Sequence, residues 1–396
     1  MDALTTPSNW QKIRLGDVGK PCMCKRVMKH QTTRYGEIPF YKIGTFGNTA
    51  DAFISKKLFL EYKTKYSFPK KGDILISASG TIGRAVIYDG KPAYFQDSNI
   101  VWIDNDETLV KNDFLFYVYS NIKWNTEHTT ILRLYNDNFR NTLIPLPPLD
   151  EQSAIANILS DLDRYLYSLR ALILKKESVK KALSFELLSQ RKRLKGFNQA
   201  WQRVRLGDIC YLKNGFSFKS DLFKNMGIPI IRISNISSVD NCINTNDLVF
   251  YDPILIDNDY ILKQGDLILA MSGATTGKSC LYNLNKIAYL NQRVGVFRAK
   301  TSFCYDFLVQ FVFSELFTSR LKLILTAGAQ PNISSFDIED FEILLPPLNE
   351  QIAIANILSA LDHEIISLKN KKRQFDNIKK ALNHDLMSAK IRVLKK

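Results

Sequence analysis

Residues 146–163 read LPPLDEQSAIANILSDLD, and residues 345–362 read LPPLNEQIAIANILSALD. Fifteen of these eighteen positions match at a fixed offset of 199 residues. Self-similarity at a fixed spacing indicates a duplicated structural unit, and this spacing is far longer than the period of a solenoid repeat. We therefore predict a tandem duplication in which each copy consists of a globular domain followed by a long helix.

Each repeated stretch opens a segment with the periodicity of a coiled coil. Counted alternately every four and three residues, eight of the ten positions from Ile155 to Leu187 are apolar, and so are eight of the ten positions 199 residues later. Pro-Pro pairs exclude helix before each stretch, and Gly196 and Asn198 are expected to end the first helix. Because each helix alone would expose an apolar stripe, we predict that the two helices pair. The alternative is that each helix packs on its own domain.

The two globular segments share an order of landmarks. The first opens with WQKIRLGDV from Trp10, and the second opens with WQRVRLGDI from Trp201. Short runs rich in β-branched and aromatic residues predict strands at 38–43, 72–76, 85–88 and 100–103, and at 228–233, 265–269 and 293–297. Late in each segment a helix is expected, capped by Asn112 and Asp113 in the first and by Asp306 in the second.

These patterns predict an α+β fold with an approximate two-fold internal repeat. We expect two globular domains of short strands and helices, separated by two long helices paired as an antiparallel coiled coil. The predicted boundaries are 1–145 and 196–344 for the globular domains, and 146–195 and 345–396 for the helical segments. Such a pairing would hold the two globular domains at a set distance, a geometry that two-fold symmetric DNA-binding proteins use to reach two separated elements.

The charge balance favours a polyanionic partner. The chain has 396 residues and a formal net charge of +15, an excess that most often accompanies nucleic-acid binding. Residues 1–145 hold 20 basic and 14 acidic residues, whereas residues 196–344 hold 14 of each. A DNA surface on the second domain must therefore come from local arrangement. No apolar run reaches the length of a membrane helix and no signal peptide is evident, so we expect a cytoplasmic protein.

The sequence does not predict an active site. Residues 272–279 read SGATTGKS, which lacks the first glycine of a phosphate-binding loop at the required spacing. The six cysteines and four histidines show no metal-ligand or disulfide spacing, and we predict neither catalytic nor metal-binding residues. We interpret the glycine turns near Gly80 and Gly273 either as structural turns or as DNA contacts, with equal weight.

Candidate DNA contacts are polar or basic side chains in predicted loops. In the first domain they are Arg26, Lys29, Gln31, Arg34, Thr81, Arg84, Arg133, Tyr135 and Asn136. In the second domain they are Asn214, Lys219, Ser272, Thr275, Thr276, Lys278, Gln330 and Asn332. For each of them the alternative is an ordinary solvent-exposed loop residue.

The order of these features resembles the specificity subunit of type I restriction–modification systems. The resemblance rests on LPPL followed by Glu-Gln ahead of each long helix, and on the Trp-to-Gly-Asp openings. It implies two target-recognition domains, each reading half of a bipartite double-stranded DNA site, and helices that dock two methyltransferase subunits. It also implies a nuclease or translocase subunit in some assemblies.

The resemblance further implies that this chain binds no cofactor itself. The methyltransferase partners would use S-adenosylmethionine, and a nuclease partner would use ATP and Mg²⁺. It assigns Glu151, Gln152, Glu350 and Gln351 to a partner-subunit contact, while a capping role at the helix N-terminus explains the two glutamates equally well. The alternative function is a helical scaffold or adaptor that binds nucleic acid without sequence choice.

Overall fold

The computed structural model describes residues 9–124, 133–237, 241–327 and 332–393. The chain divides into two compact units. One unit contains residues up to Arg170 together with those from Asn370 onward, and the other contains Ala171–Lys369. None of the helices in the described ranges has the length and hydropathy needed to cross a membrane.

The first globular domain is built mainly from short strands. Its elements are β1 (Gln11–Arg14), α1 (Leu15–Val18), β2 (Gly19–Met23), β3 (Ile38–Tyr41), β4 (Phe53–Ile54), α2 (Lys56–Lys65), β5 (Ile74–Ser77), β6 (Ala85–Ile87), β7 (Tyr94–Phe95), β8 (Ile100–Asn105), α3 (Asn112–Tyr119), α4 (Asn136–Asn141) and β9 (Leu143–Leu146). The first long helix, α5 (Leu149–Leu188), follows directly.

The second globular domain repeats this order with local differences. Its elements are β10 (Gln202–Arg205), α6 (Leu206–Ile209), β11 (Cys210–Asn214), β12 (Ile228–Ile231), β13 (Val249–Tyr251), β14 (Ile261–Leu262), β15 (Leu267–Ala270), β16 (Ser279–Leu281), β17 (Ala288–Leu290), β18 (Val294–Ala299), α7 (Tyr305–Val312), α8 (Glu315–Ala327), α9 (Ser335–Glu339) and β19 (Glu342–Leu345). The second long helix is α10 (Leu348–Met387).

The sheets confirm the internal repeat and the α+β class. Each domain has a two-stranded ribbon (β1-β9 or β10-β19) and a four-stranded sheet (β2-β8-β5-β6 or β11-β18-β15-β16). A third sheet has the order β4-β3-β7 in the first domain and β13-β12-β17-β14 in the second. In that sheet β3 pairs with β7, and β12 with β17, in parallel. Fully buried strands such as β5 and β15 explain why their sequences are continuous apolar runs.

The predicted seam of the long helices is confirmed by burial. From Ile155 to Leu187, and from Ile354 to Leu386, each position of the four-three pattern is buried or half-buried. In the first unit Lys379 binds Asp163, and Phe375 packs on Tyr165 with ring centroids 4.7 Å apart. In the second unit Lys180 binds Asp362, and Lys176 binds Glu364 at 2.8 Å. Within each unit the two helix segments are therefore antiparallel.

Expectations about three helix ends were wrong. The first long helix ends at Leu188, before Gly196, because the chain turns at Gln190, which adopts a φ of 61°. Asn112 lies inside α3 and does not cap it, because its side-chain oxygen accepts a hydrogen bond from Asn105 at 2.9 Å. Asp306 likewise lies in the first turn of α7, for which Cys304 is the N-cap residue.

Candidate nucleic-acid interface

Three loops of the first domain meet where β5 ends. The Ala78 N–H donates to the carbonyl of Asn99 at 2.8 Å, and the Leu134 N–H donates to the carbonyl of Ala78 at 2.8 Å. These bonds join the glycine turn, the loop after β7 and the segment before α4. Beside the junction is a cleft of about 500 Å³, here called the first cleft. Its polar and charged lining residues are Arg26, Lys29, Thr32, Lys42, Gln96, Asp97, Ser98, Asn99 and Arg133.

The first cleft has a positive balance of charge. Among the described residues of its lining four are basic, whereas Asp97 is the only carboxylate. Arg26 contacts Asp97 at 2.8 Å, although the arginine side chain remains 67% exposed. Arg133 donates to the side-chain oxygen of Asn99 at 3.3 Å, and Ser79 donates to the same oxygen at 2.8 Å. The side-chain amide of Asn99, which the Ser79 hydroxyl holds, therefore orients the Arg133 side chain at the cleft wall.

The second domain forms the same junction after β15. The Met271 N–H donates to the carbonyl of Arg293, and the Ile333 N–H donates to the carbonyl of Met271, both at 2.9 Å. The adjoining cleft has a volume of about 800 Å³ and is here called the second cleft. It is lined by Asn214, Gly215, Met271, Ser272, Gly273, Gln292, Arg293, Asn332 and Ile333.

The two clefts occupy equivalent places but differ in chemistry. Ala78 and Met271 make equivalent backbone bonds, so the loops around them correspond. In the described part of the chain, the second cleft has one cation, Arg293, together with three side-chain amides from Asn214, Gln292 and Asn332. A cluster of amides offers paired donors and acceptors, whereas the first cleft offers mainly positive charge.

Comparison with known proteins identifies the family. A family model described as the type I restriction modification DNA specificity domain matches residues 7–177 and again residues 198–375. This chain belongs to that family. The match falls once on each copy of the repeat, as expected from the duplicated sheets.

Individual relatives agree with this assignment. A type I specificity subunit of Methanocaldococcus jannaschii, MjaVIII, is 29% identical over 421 aligned positions, covering 99% of this chain and 95% of the relative. A putative specificity subunit of Haemophilus influenzae is 65% identical over 148 residues, 37% of this chain and 38% of that relative. The crystal structure of the S subunit from M. genitalium has the same fold, with a TM-score of 0.65, 16% identity and 98% coverage of both chains.

Six of the residues predicted to contact DNA line the clefts of this specificity subunit. Arg26 and Lys29 lie in the first cleft together with Arg133, which is more than 100 residues further along the chain. Asn214, Ser272 and Asn332 lie in the second. Their role in DNA binding stays a prediction, but the fold brings the first set together from two separate segments and the second set from three.

Other predicted residues of the first domain lie outside its cleft. Gln31 closes a short 3₁₀ turn, accepting from the Met28 N–H at 2.8 Å. Arg84 donates to the carbonyl of Phe46 at 2.9 Å. Arg34, Thr81, Tyr135 and Asn136 are exposed.

In the second domain the glycine turn uses its hydroxyls internally. Thr275 donates to the carbonyl of Ile233 at 2.9 Å, and Thr276 donates to that of Gly273. Lys278 is half-buried beside them, and Lys219 is exposed. The two threonines therefore stabilise the turn, and a DNA contact by either of them stays a prediction. Gln330 lies outside the described residues.

Sequence reasoning missed the loop that follows the parallel strand in each domain. Asp97, Ser98 and Asn99 follow β7, and Gln292 and Arg293 follow β17. The signal was the switch from a short apolar strand to polar residues, which marks a strand end. It could not show that these loops reach the glycine turn, because that contact depends on the parallel pairing of β7 with β3 and of β17 with β12.

The Glu-Gln pairs that open the long helices are buried within the chain. Glu151 and Gln152 are 2% and 0% exposed, and Glu350 and Gln351 are 0% and 3% exposed. Gln152 accepts from the Lys111 N–H at 2.9 Å, and Gln351 accepts from the Cys304 N–H at 2.9 Å. Each glutamine thus joins a long helix to the start of a helix in its own domain. A direct contact with a partner subunit stays a prediction, and it would require these side chains to become exposed.

Proposed function

We propose that this specificity subunit reads a bipartite, asymmetric double-stranded DNA site, with one element for each domain. The observation that carries the proposal is the pair of clefts at equivalent junctions with different linings. Equivalent placement gives both domains the same means of approaching DNA. Different side chains then select different bases, so the two elements are unlike.

The first cleft suits phosphates and guanine. Lysine and arginine neutralise phosphates, and arginine makes paired hydrogen bonds to the O6 and N7 atoms of guanine in the major groove. Arg26 is the best placed for a base contact because most of its side chain is exposed. Asp97, once released from Arg26, would be an acceptor for the amino group of cytosine.

The second cleft suits adenine. Asparagine and glutamine pair with the N6 and N7 atoms of adenine, and the second cleft has three such amides. Its lower positive charge predicts that phosphate anchoring contributes less to binding by this domain. The neutral balance of residues 196–344 supports the same division of roles.

We further propose that the chain docks two methyltransferase subunits, and a nuclease or translocase subunit where the complex cleaves DNA. The partners would supply S-adenosylmethionine chemistry at adenine, and ATP and Mg²⁺ in the nuclease. This chain supplies recognition and binds no cofactor. Membership of the specificity family supports this assignment.

A domain exchange tests the proposal. Residues 1–145 are replaced by the corresponding segment of another family member, and modified adenines are mapped across the genome of a host that carries the methyltransferase subunits. We expect the element read by the first domain to change and the other element to persist. An unchanged site, or loss of both elements from a folded complex, would contradict the proposal.

The scaffold alternative makes a different prediction for binding in solution. A sequence-independent binder is competed equally by any DNA, and its affinity depends on salt alone. We expect the complex with its methyltransferase subunits to retain its site in the presence of excess unrelated duplex. Equal competition by unrelated duplex would favour the scaffold.

A further inference from the structure

Each unit contains a buried carboxylate that joins a globular domain to both long helices. In the first unit Glu151, at the start of the first long helix, accepts from Trp10 Nε1 at 3.0 Å. Arg392, beyond the second long helix, contacts both oxygens of Glu151 at 2.6 and 3.0 Å. A carboxylate that is almost fully buried requires such compensation, because burial of an unpaired charge is costly.

The second unit contains the same arrangement with the repeats exchanged. Glu350, at the start of the second long helix, accepts from Trp201 Nε1 at 2.9 Å. Arg193, which follows the first long helix, contacts its two oxygens at 3.2 and 2.6 Å. We call each tryptophan–glutamate–arginine set a clasp. In both clasps the arginine comes from the repeat that does not supply the glutamate.

The backbone that delivers each arginine is also repeated. Gln190 and Ala389, three residues before Arg193 and Arg392, adopt φ values of 61° and 56°. Side chains other than glycine rarely occupy this left-handed region, and doing so costs about 1 kcal/mol or more. The two tails thus make the same unfavourable turn at equivalent positions, which directs each arginine back toward a buried glutamate.

A second carboxylate, three turns further along each helix, repeats the pattern. Asp163 accepts from Tyr117 Oη at 2.9 Å and binds Lys379 of the other long helix. Asp362 accepts from Gln310 Nε2 at 2.9 Å and binds Lys180 of the other long helix. Burial, together with Asp163, raises the pKa of Tyr117 above its ordinary value, and the protonated hydroxyl donates to Asp163. Tyr117 and Gln310 are different kinds of donor, but each joins a helix of its globular domain to an ion pair between the two long helices.

From these contacts we propose that Arg392 and Arg193 are positioning residues for DNA recognition, each acting on the domain of the other repeat. Arg392 holds the first domain through Glu151, and Arg193 holds the second domain through Glu350. Loss of either arginine leaves a buried glutamate whose remaining side-chain partner among the described residues is the tryptophan N–H. The affected domain then shifts on its helices, while the other domain keeps its clasp. This inference rests on the proposed function, in which each domain reads one element.

The test uses the full chain with its methyltransferase subunits in a host without other adenine methylation. Modified adenines are mapped for the wild type and for Arg392→Ala and Arg193→Ala. Lys390→Ala is the matched control, because it removes a cation from the same tail whose pair with Asp385 is long, at 3.5 Å. The wild-type map alone tests whether a bipartite site is read, so that failure is separate from failure of the clasp.

Each arginine variant is expected to lose discrimination in a different element of the site. For each variant we compare methylation at intact sites with methylation at sites that carry one mismatch in the first domain's element. In Arg392→Ala this ratio is expected to fall roughly tenfold or more, because ångström-scale misplacement can cost about a hundredfold in rate. Discrimination in the second element stays at the wild-type level. Arg193→Ala is expected to lower discrimination in the second element and to leave the first at the wild-type level. Lys390→Ala is expected to leave discrimination in both elements unchanged.

Conservative variants separate positioning from folding. Arg392→Lys and Arg193→Lys keep one charged contact and are expected to restore part of the discrimination in the affected element. Trp10→Phe keeps an aromatic ring, although a smaller one, and removes the N–H donor, and it is expected to affect the first element alone. Equal loss in both elements, or wild-type discrimination in both arginine variants, would overturn the proposal.

Discussion

The two recognition domains share a strand frame but differ in what they place on it. Between β4 and β5 the first domain has the ten-residue helix α2, rich in lysine. Between β13 and β15 the second domain has a short 3₁₀ turn and the strand β14. The junction at the end of β5 or β15 is unchanged by this difference. The frame therefore fixes where the loops meet, and the side chains on the loops are free to differ.

We expect each clasp to contribute more to the stability of its unit than any other group of polar contacts does. Glu151→Ala and Glu350→Ala each leave an arginine and a tryptophan N–H unpaired, and breaking a buried ion pair costs about 3 kcal/mol or more. We expect hydrogen exchange to rise in the unit that contains the substitution and to stay unchanged in the other. Exchange that rises equally in both units would mean that the clasps are not local to a domain.

The different charge of the clefts can be measured as salt dependence. In the first cleft, Arg26, Lys29 and Arg133 are replaced together by glutamine. Each lost phosphate contact reduces the salt slope by about 0.9, so we expect loss of the Lys29 and Arg133 contacts to reduce the slope of log affinity against log salt by about 2. Fluorescence anisotropy with a duplex that carries the site measures this slope.

The matched triple variant in the second cleft replaces Asn214, Gln292 and Asn332 by alanine. Here we expect an unchanged slope and a loss of base preference of about 1–3 kcal/mol for each base contact removed. Similar salt slopes for the two triple variants would contradict the division between a charged and an amide cleft.

The glycine turns differ in how tightly they are packed. Gly83 and Gly277 both have a φ of 83°, so alanine at either position costs about 1 kcal/mol of backbone strain. At Gly83 a Cβ would overlap the indole of Trp124, whereas at Gly277 it would meet the end of Leu321 at 3.0 Å. We expect Gly83→Ala to lose about 1–3 kcal/mol more, because overpacking adds to the strain. Thermal unfolding followed by local hydrogen exchange checks this, and equal losses would contradict it.

The ion pair of the first cleft should give the smallest effect. Asp97→Asn releases Arg26, and one additional cation for phosphate steepens the salt slope by about 0.9. Asp252→Asn is the control, since its partner Lys224 lies outside both clefts. A slope that steepens equally in both variants would show that net charge, and not the cleft, is responsible.

Much of the frame could be predicted because local patterns decide it. Runs such as Ile38–Tyr41 and Ile74–Ser77 are apolar and become strands, and the four-three pattern predicts the buried seam of the long helices. The end of the first long helix could not be placed, because the turn at Gln190 depends on a contact between Arg193 and Glu350, 157 residues apart.

The clasps were missed for the same reason, although a signal was present. Trp10 and Trp201, Glu151 and Glu350, and Arg193 and Arg392 each occur once per repeat. Matched residues in both copies point to a shared role, but not to the burial that makes Glu151 part of a clasp. Some residues of the clefts could be predicted, because loops with basic and amide side chains are visible in the sequence. The contacts that bring these loops together are not.

The most direct test of the central claim is a chain in which residues 200–344 also replace residues 9–145. Trp201 would supply the tryptophan of the first clasp, and Gln310 would replace Tyr117 at Asp163. The duplicated domain can therefore make the same contacts at the first position that it makes at the second. With the methyltransferase subunits present, mapping of modified adenines should show the second domain's element twice and the first element not at all. Persistence of the original asymmetric site would contradict the account.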